Sequence, residues 1–512
     1  MAPRARRRRS RYTPRRWLPF LALSALIAGA ALLDTDRPPV APERLDPSLD
    51  ITAVPSVARA DAISTAFYCA GGTAQGEDGP AELSLVFAND ADTGATAEVT
   101  VLSDTADPAT TEVEVPANGR ARLRLGEVVQ ADWVGAVVDV RGGRVAVDRE
   151  VSGPLGYDAA PCATTAADRW YVPSGSTRRG SELYLSLTNP FPDAASVEVS
   201  FATDRGTRTP RSLRRFSVPG RSVRVVSVAD LVTERAEVAA TVRVRAGRVV
   251  VDRVQTSDGE GDPIPIEGTE ATTPAPKGLV STPASPVRAP RWIVPSARTG
   301  TGVRTQIAVA NPSGRDARVD VLLRYQEPER YAELAPVELT VRAGGEEVVD
   351  LAAITDLAAD ANVWVDVRSL DEVPIVVERT TAYADPSQVR GVATALGSPA
   401  AATRWLVTQA GSSRSRNGAV LVTNPGARPA AIRAYSLESG VRRELPAASV
   451  TVPAGDRRSL DLSEAGAAAS IIVEADTGVV VGSSLAVTSG PGVALQPGLP
   501  YPEDLVSIVA PG

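Results

Sequence analysis

The sequence predicts an all-β protein: four tandem immunoglobulin-like antiparallel β-sandwich domains after an N-terminal transmembrane or signal helix. Three observations carry this reading. A unit of about 100 residues comes round four times. Inside each unit, short runs of alternating apolar and polar residues are separated by Gly, Pro and Asn turns, and helix signals are almost absent. The chain opens on a basic stretch followed by an apolar one, the pattern of an exported or anchored protein.

Taken in order, the first element is the leader. Eight arginines lie between Arg4 and Arg16 with no acid among them, and an uncharged run follows from Trp17 to Leu33. Such a basic flank holds the N-terminus in the cytoplasm and sends the rest across the bilayer. Residues 1–33 therefore read as a cytoplasmic basic segment and signal anchor, with the membrane contacted through residues 17–33. Cleavage at Ala28-Gly29-Ala30, which would give a secreted protein, is the alternative. The apolar run continues through Ala31-Leu32-Leu33 beyond that site, which favours the anchor. Arg15-Arg16-Trp17-Leu18 is also a loose twin-arginine match. Residues 34–62, rich in Pro, Asp and Ala without a sustained period, read as a linker that lifts the first domain off the membrane.

The β-sandwich repeats are expected at 63–162, 166–258, 291–397 and 403–512, with a Pro/Thr/Gly-rich spacer at 259–290. Each repeat opens on an aromatic strand: Phe67-Tyr68, Trp170-Tyr171-Val172-Pro173, Trp292-Ile293-Val294-Pro295 and Trp405-Leu406-Val407. Each then runs an alternating strand into one slot, filled by Asn89, Asn189, Asn311 or Asn424, and four of the seven asparagines in the chain stand there. An Asn side chain accepts a hydrogen bond from backbone two residues on, and the Pro that follows three of them presets φ, so the slot reads as a structural repeat turn. The second repeat shows the alternation most plainly. Leu183, Leu185 and Leu187 share one face, Val197, Val199 and Phe201 another, and about seven strands follow one another at sandwich spacing.

The closing hairpins of the first three repeats carry an acid and an arginine side by side: Asp148-Arg149, Asp252-Arg253 and Glu378-Arg379. Neighbours on a strand point to opposite faces, so these read as solvated or cross-strand pairs rather than catalytic partners. The fourth repeat has Gly482-Ser483 instead and reads as a divergent terminal cap. Trp170, Trp292 and Trp405 read as core anchors whose indole N–H groups need partners. The alternative is a row of exposed platforms for sugar rings.

Composition excludes several chemistries. The chain has no histidine and its one lysine, Lys277, lies in the spacer. Ser-His-Asp and Cys-His nucleophiles, His-ligated metals and a Ser-Lys dyad are thereby removed. Cys69 and Cys162 are the two cysteines; in an exported chain they read as a disulfide clamping the ends of the first repeat, and they fall short of a metal-ligand set. No cofactor is expected. Acids outnumber bases 61 to 54 even with the arginine-rich leader included, so the exported body does not suit nucleic acid.

Three of the repeats share quotable signatures: RWYVPSG with LYLSLTNP, RWIVPSA with TQIAVANP, and RWLVTQAG with AVLVTNP. With the V-P-A-G turn and the basic leader, they make the chain resemble actinobacterial secreted or membrane-anchored proteins of a family of unknown function with tandem Asn-Pro-turn β-sandwich repeats. The resemblance runs over roughly residues 63–490, departs at Asp90 and Thr408, and implies no enzymatic activity and no functional residues. The expected function is that of a non-enzymatic scaffold or interaction protein of the cell envelope, a rod of stacked domains whose partner is an envelope protein or the cell-wall polysaccharide. A carbohydrate-binding cell-wall protein is the alternative, and an exported hydrolase using carboxylates from two strands is the third reading.

Overall fold

The computed structural model describes residues 53–508 except 77–78, 267–268, 328, 330, 439 and 489. The leader and most of the linker lie outside the described residues, so the expected N-terminal helix does too. Among the described residues there is no α-helix, only strands and short 3-10 turns, and no helix is long and apolar enough to cross a membrane.

The first repeat sets the pattern. Its strands are β1 (Ser64–Ala74), β2 (Glu82–Asn89), β3 (Ala95–Ser103), β4 (Ala109–Val115), β5 (Gly119–Arg124), β6 (Ala131–Arg141), β7 (Val145–Gly153) and β8 (Gly156–Pro161). Alternation makes them half-buried strands: in β3, Ala97, Val99 and Val101 face the core while Thr96, Glu98 and Thr100 face outward. One sheet runs in the order β4-β3-β6-β1, and the other brings β5, β2, β7 and β8 side by side. The third repeat uses the same two four-stranded sheets, the second has one sheet of four strands and one of five, and each sandwich encloses its own apolar cluster. In the fourth, a single strand of 18 residues, Ser470–Val487, passes from one sheet to the other and does the work of β6 and β7.

The sandwich reading stands, with a different strand order from the immunoglobulin one. In an immunoglobulin domain the first two strands share a sheet as antiparallel neighbours. Here β1 pairs antiparallel with β6 and meets β2 through one parallel bridge, Thr73 to Glu82. The domain bounds also move. Lys277–Pro283, inside the segment read as spacer, is the eighth strand of the second repeat and pairs with Val250–Asp258 from Asp252 to Asp258.

The four sandwiches do not stack into a rod. Their eighth strands, Gly156–Pro161, Lys277–Pro283, Gly391–Leu396 and Val493–Pro497, touch one another in a cycle: first against second, second against third, third against fourth, fourth against first. The described residues form one compact unit around this inner wall. A glycine near the start of each strand permits the approach. A Cβ on Gly278 would stand 2.5 Å from the backbone N of Val392, and one on Gly492 2.9 Å from Tyr157 Cβ.

The end of the linker closes the cycle. Val57 N donates to Pro500 O of the fourth repeat at 3.0 Å, and Ala58 N to Val145 O of the first at 2.8 Å. Val57 is buried in an apolar cluster with Ala88 and Ala146 of the first repeat and Leu406, Ile472 and Tyr501 of the fourth. This part of residues 34–62 is therefore a strap across a seam rather than a free tether.

Candidate functional site

The cysteines and the asparagine slot come out as local architecture. Cys69 and Cys162 form a disulfide with Cα atoms 4.7 Å apart, tying β1 to the residue after β8. Each slot asparagine is fully buried and makes the same contacts. Asn189 Oδ1 accepts from Phe191 N at 3.0 Å, while Nδ2 donates to Asp193 O at 2.8 Å and Val218 O at 3.1 Å. Asn89, Asn311 and Asn424 repeat the pattern, closing an Asx turn and tying it to the strand end opposite.

Trp170, Trp292 and Trp405 are at most 1% exposed. Their indoles donate to Val249 O, Ile375 O and Val479 O at 2.9, 2.9 and 3.0 Å. No face is left for a sugar ring, so the platform alternative is corrected: these are core anchors.

The acid–arginine pairs are neither solvated nor paired within their own repeat. They lie in the junctions, where the arginine of one repeat meets the acid of the next. Arg149 Nη1 is 2.5 Å from Asp252 Oδ2, with both side chains 1% exposed. Arg253 Nη2 is 2.5 Å from Glu378 Oε1, and the same guanidinium donates to Thr282 and Thr394 at 3.1 and 2.8 Å. Opposite pointing of neighbouring side chains is what lets each repeat offer an acid backwards and an arginine forwards. Gly482-Ser483 interrupts the cycle twice: among the described residues, Arg379 meets no acid from the fourth repeat, and Asp148 meets no arginine from it. Asp148 accepts from Thr408 Oγ1 instead, and burial pushes its carboxyl up to about 6 against the pull of Arg120 and Arg149.

A crevice of about 380 Å³ lies between the second and third repeats, of the size that holds small organic ligands. It is built by an insertion. The loop between seventh and eighth strands spans residues 154–155 in the first repeat but 259–276 in the second, where it forms the small hairpin of Ile264–Pro265 with Thr272–Thr273. Ile264, Ile266 and Pro274 cover the crevice, while Arg178, Arg179 and Gln255 line it from the second repeat and Arg304 and Tyr383 from the third. Arg304 is tied to Asp350 at 2.7 Å. Burial raises the pKa of the Glu237 carboxyl, which also lines the crevice, with Arg304 pulling the other way. Among the described residues, no group of three or more acids or cysteines could hold a metal ion. The sequence marks no ligand site here; its one signal is an insertion between seventh and eighth strands found in a single repeat.

The profile of a family of unknown function (DUF5719) matches residues 145–282 and 254–371. The two matches begin at the seventh strand of one repeat and run into the next, so the matched unit straddles a junction. No curated protein matches the chain. A solved structure described as a tetra-tandem repeat in the extending region of a large adhesion protein is 13% identical. The match takes in 86% of this chain and 100% of that one, with a TM-score of 0.10, so the two do not superpose as wholes.

Proposed function

We propose that this chain is a non-enzymatic interaction protein of the cell envelope, anchored through residues 17–33, that engages a partner at the crevice between its second and third repeats. The observation that carries the reading is the hairpin at 259–276: one repeat of four spends an insertion on an apolar cover over a charged crevice. Immunoglobulin-like reach along a rod is no longer part of the mechanism. A closed cycle offers rigidity instead, holding Arg178 and Arg179 at a fixed distance from the third repeat. The absence of histidine from the chain supports the non-enzymatic part.

The test is site-specific photocrosslinking in the host envelope. A benzophenone side chain at Arg179 or Thr272 should capture one discrete envelope component, and the same group at Thr110, on the far edge of the first repeat, should not. Equal capture from both places sinks the reading. One observation favours a second reading, the exported hydrolase: Glu237, Asp258, Asp262 and Asp385 all line the crevice. Three of these are already engaged, Asp258 with Glu260 N at 2.8 Å, Asp385 with Arg390 at 2.5 Å and Glu237 with Gln306 Nε2 at 3.5 Å. Turnover of an envelope polymer that Glu237→Gln abolishes would put that reading first.

A further inference from the structure

The cycle of junctions contains a charge without its counter-charge. Two junctions are closed by a buried ion pair, Arg149 to Asp252 and Arg253 to Glu378. In the third, the register places Gly482 where those acids stand, since Gly482 pairs with Pro497 as Asp252 pairs with Pro283 and Glu378 with Leu396. Arg379 is 3% exposed and, among the described residues, meets no carboxylate. Its Nη1 donates to Ser296 O and to Ser296 Oγ, and its Nε has no partner.

A second buried guanidinium comes to the same seam from the other side. Arg457, 5% exposed, stands on the fifth strand of the fourth repeat opposite Thr423, whose hydroxyl donates to Pro295 O of the third. Arg457 Nη1 donates to Val363 O of the third repeat at 2.8 Å, and its Nε is also without a partner. The neighbouring Asp456 is engaged by Arg458 at 2.9 Å. Burial pulls both guanidiniums down to about 10; the charge of Arg379 adds to the effect on Arg457, and that of Asp456 opposes it. Removing the acid from a buried pair while leaving the base is among the costlier changes a protein core can carry, and here the seam carries two cations.

We propose that the junction between the third and fourth repeats binds a small monoanion of halide size, held by Arg379 and Arg457 in the role that Asp252 and Glu378 play in the other junctions. The size follows from crowding. A Cβ on Gly482 would stand 2.7 Å from Pro295 Cγ, so the proline ring fills part of the volume a side-chain acid would need. That favours a single atom over a branched oxyanion. The anion completes the third junction and makes the grip of the third repeat on the fourth depend on it.

The experiment is crystallography of the full chain grown in sodium bromide, with data collected at the bromine edge, together with melting curves in bromide and in fluoride at equal ionic strength. The expected result is an anomalous peak in contact with the Arg379 guanidinium, and a melting temperature that rises with bromide along a saturating curve. Ser296→Asp is the control variant: it sets a carboxylate on Arg379 Nη1 without removing either arginine. It should abolish both the peak and the bromide-specific rise while keeping the fold. No peak at that place overturns the proposal, and so does a peak of undiminished height in S296D.

Discussion

A single residue type can be legible in sequence and still be misread in purpose. The slot asparagines read as turn chemistry, and that is what Asn189 and its counterparts do, because an Asx turn needs only residues within a few positions of the Asn. Arg253 is the contrary case. Its partner Glu378 lies 125 positions away, and no local pattern names it. Asp148 carries the consequence of a missing partner. Its folded value of about 6 lies above the ordinary 3.8, so the folded state holds the proton more tightly than the unfolded one. The stability that this adds is full below about pH 4 and is lost as pH rises through about 6, a change of about 3 kcal/mol. Thr408, Arg120, Arg149 and Glu150 are the groups that bear on it. Asp148→Asn keeps an acceptor for Thr408 and removes the charge. In urea unfolding, the variant should match the wild type near pH 4 and exceed it by about 3 kcal/mol at pH 8. A difference that stays constant with pH would show that Asp148 does not titrate in this window.

At the scale of the element, the eighth strand decides most. Alternation is enough to find the strands of each sandwich, because one face meets a core and the other meets water. Lys277–Pro283 has no such contrast: from Gly278 to Pro283 every residue is buried, one face lying on its own sheet and the other on neighbouring repeats. Set among prolines, it reads as spacer in the sequence. Gly278 tests its role, since a side chain there must push into the Val392 backbone at 2.5 Å. Gly278→Val should cost about 1–3 kcal/mol, the usual range for overpacking. It should also speed proteolysis at the 259–276 hairpin while leaving the Cys69–Cys162 bond formed. Unchanged stability would mean that the inner wall is looser than the contact distances say. The hairpin that covers the crevice has the same history: its composition reads as linker because its apolar residues, Ile264 and Ile266, meet partners that are distant in sequence.

At the scale of the whole molecule, closure replaces extension. Four sandwiches in a row would leave their flanks exposed, and the cycle buries those flanks against one another. The described segment, residues 53–508, should therefore scatter X-rays with a radius of gyration of about 23 Å, the value for one compact body of this length. A rod would lie far above it. Val57→Asp places a charge under the strap, between the first and fourth repeats. It should raise that radius by opening the seam, without lowering strand content by circular dichroism. An unchanged radius would leave the strap as a passenger on a cycle that the eighth strands hold alone.

The all-β class, the four repeats, the disulfide, the tryptophan anchors and the asparagine turns are legible along the chain. Each of these follows from periodicity, from residue chemistry over a few positions, or from the pairing of just two cysteines. Only the tertiary structure decided the strand order, the junction pairing of Arg149 and Arg253, the strap at Val57, the crevice and the unpaired Arg379. All of these depend on which faces of different repeats meet. That is set by shape and charge complementarity between surfaces far apart in the chain, and a pattern read along one dimension does not contain it.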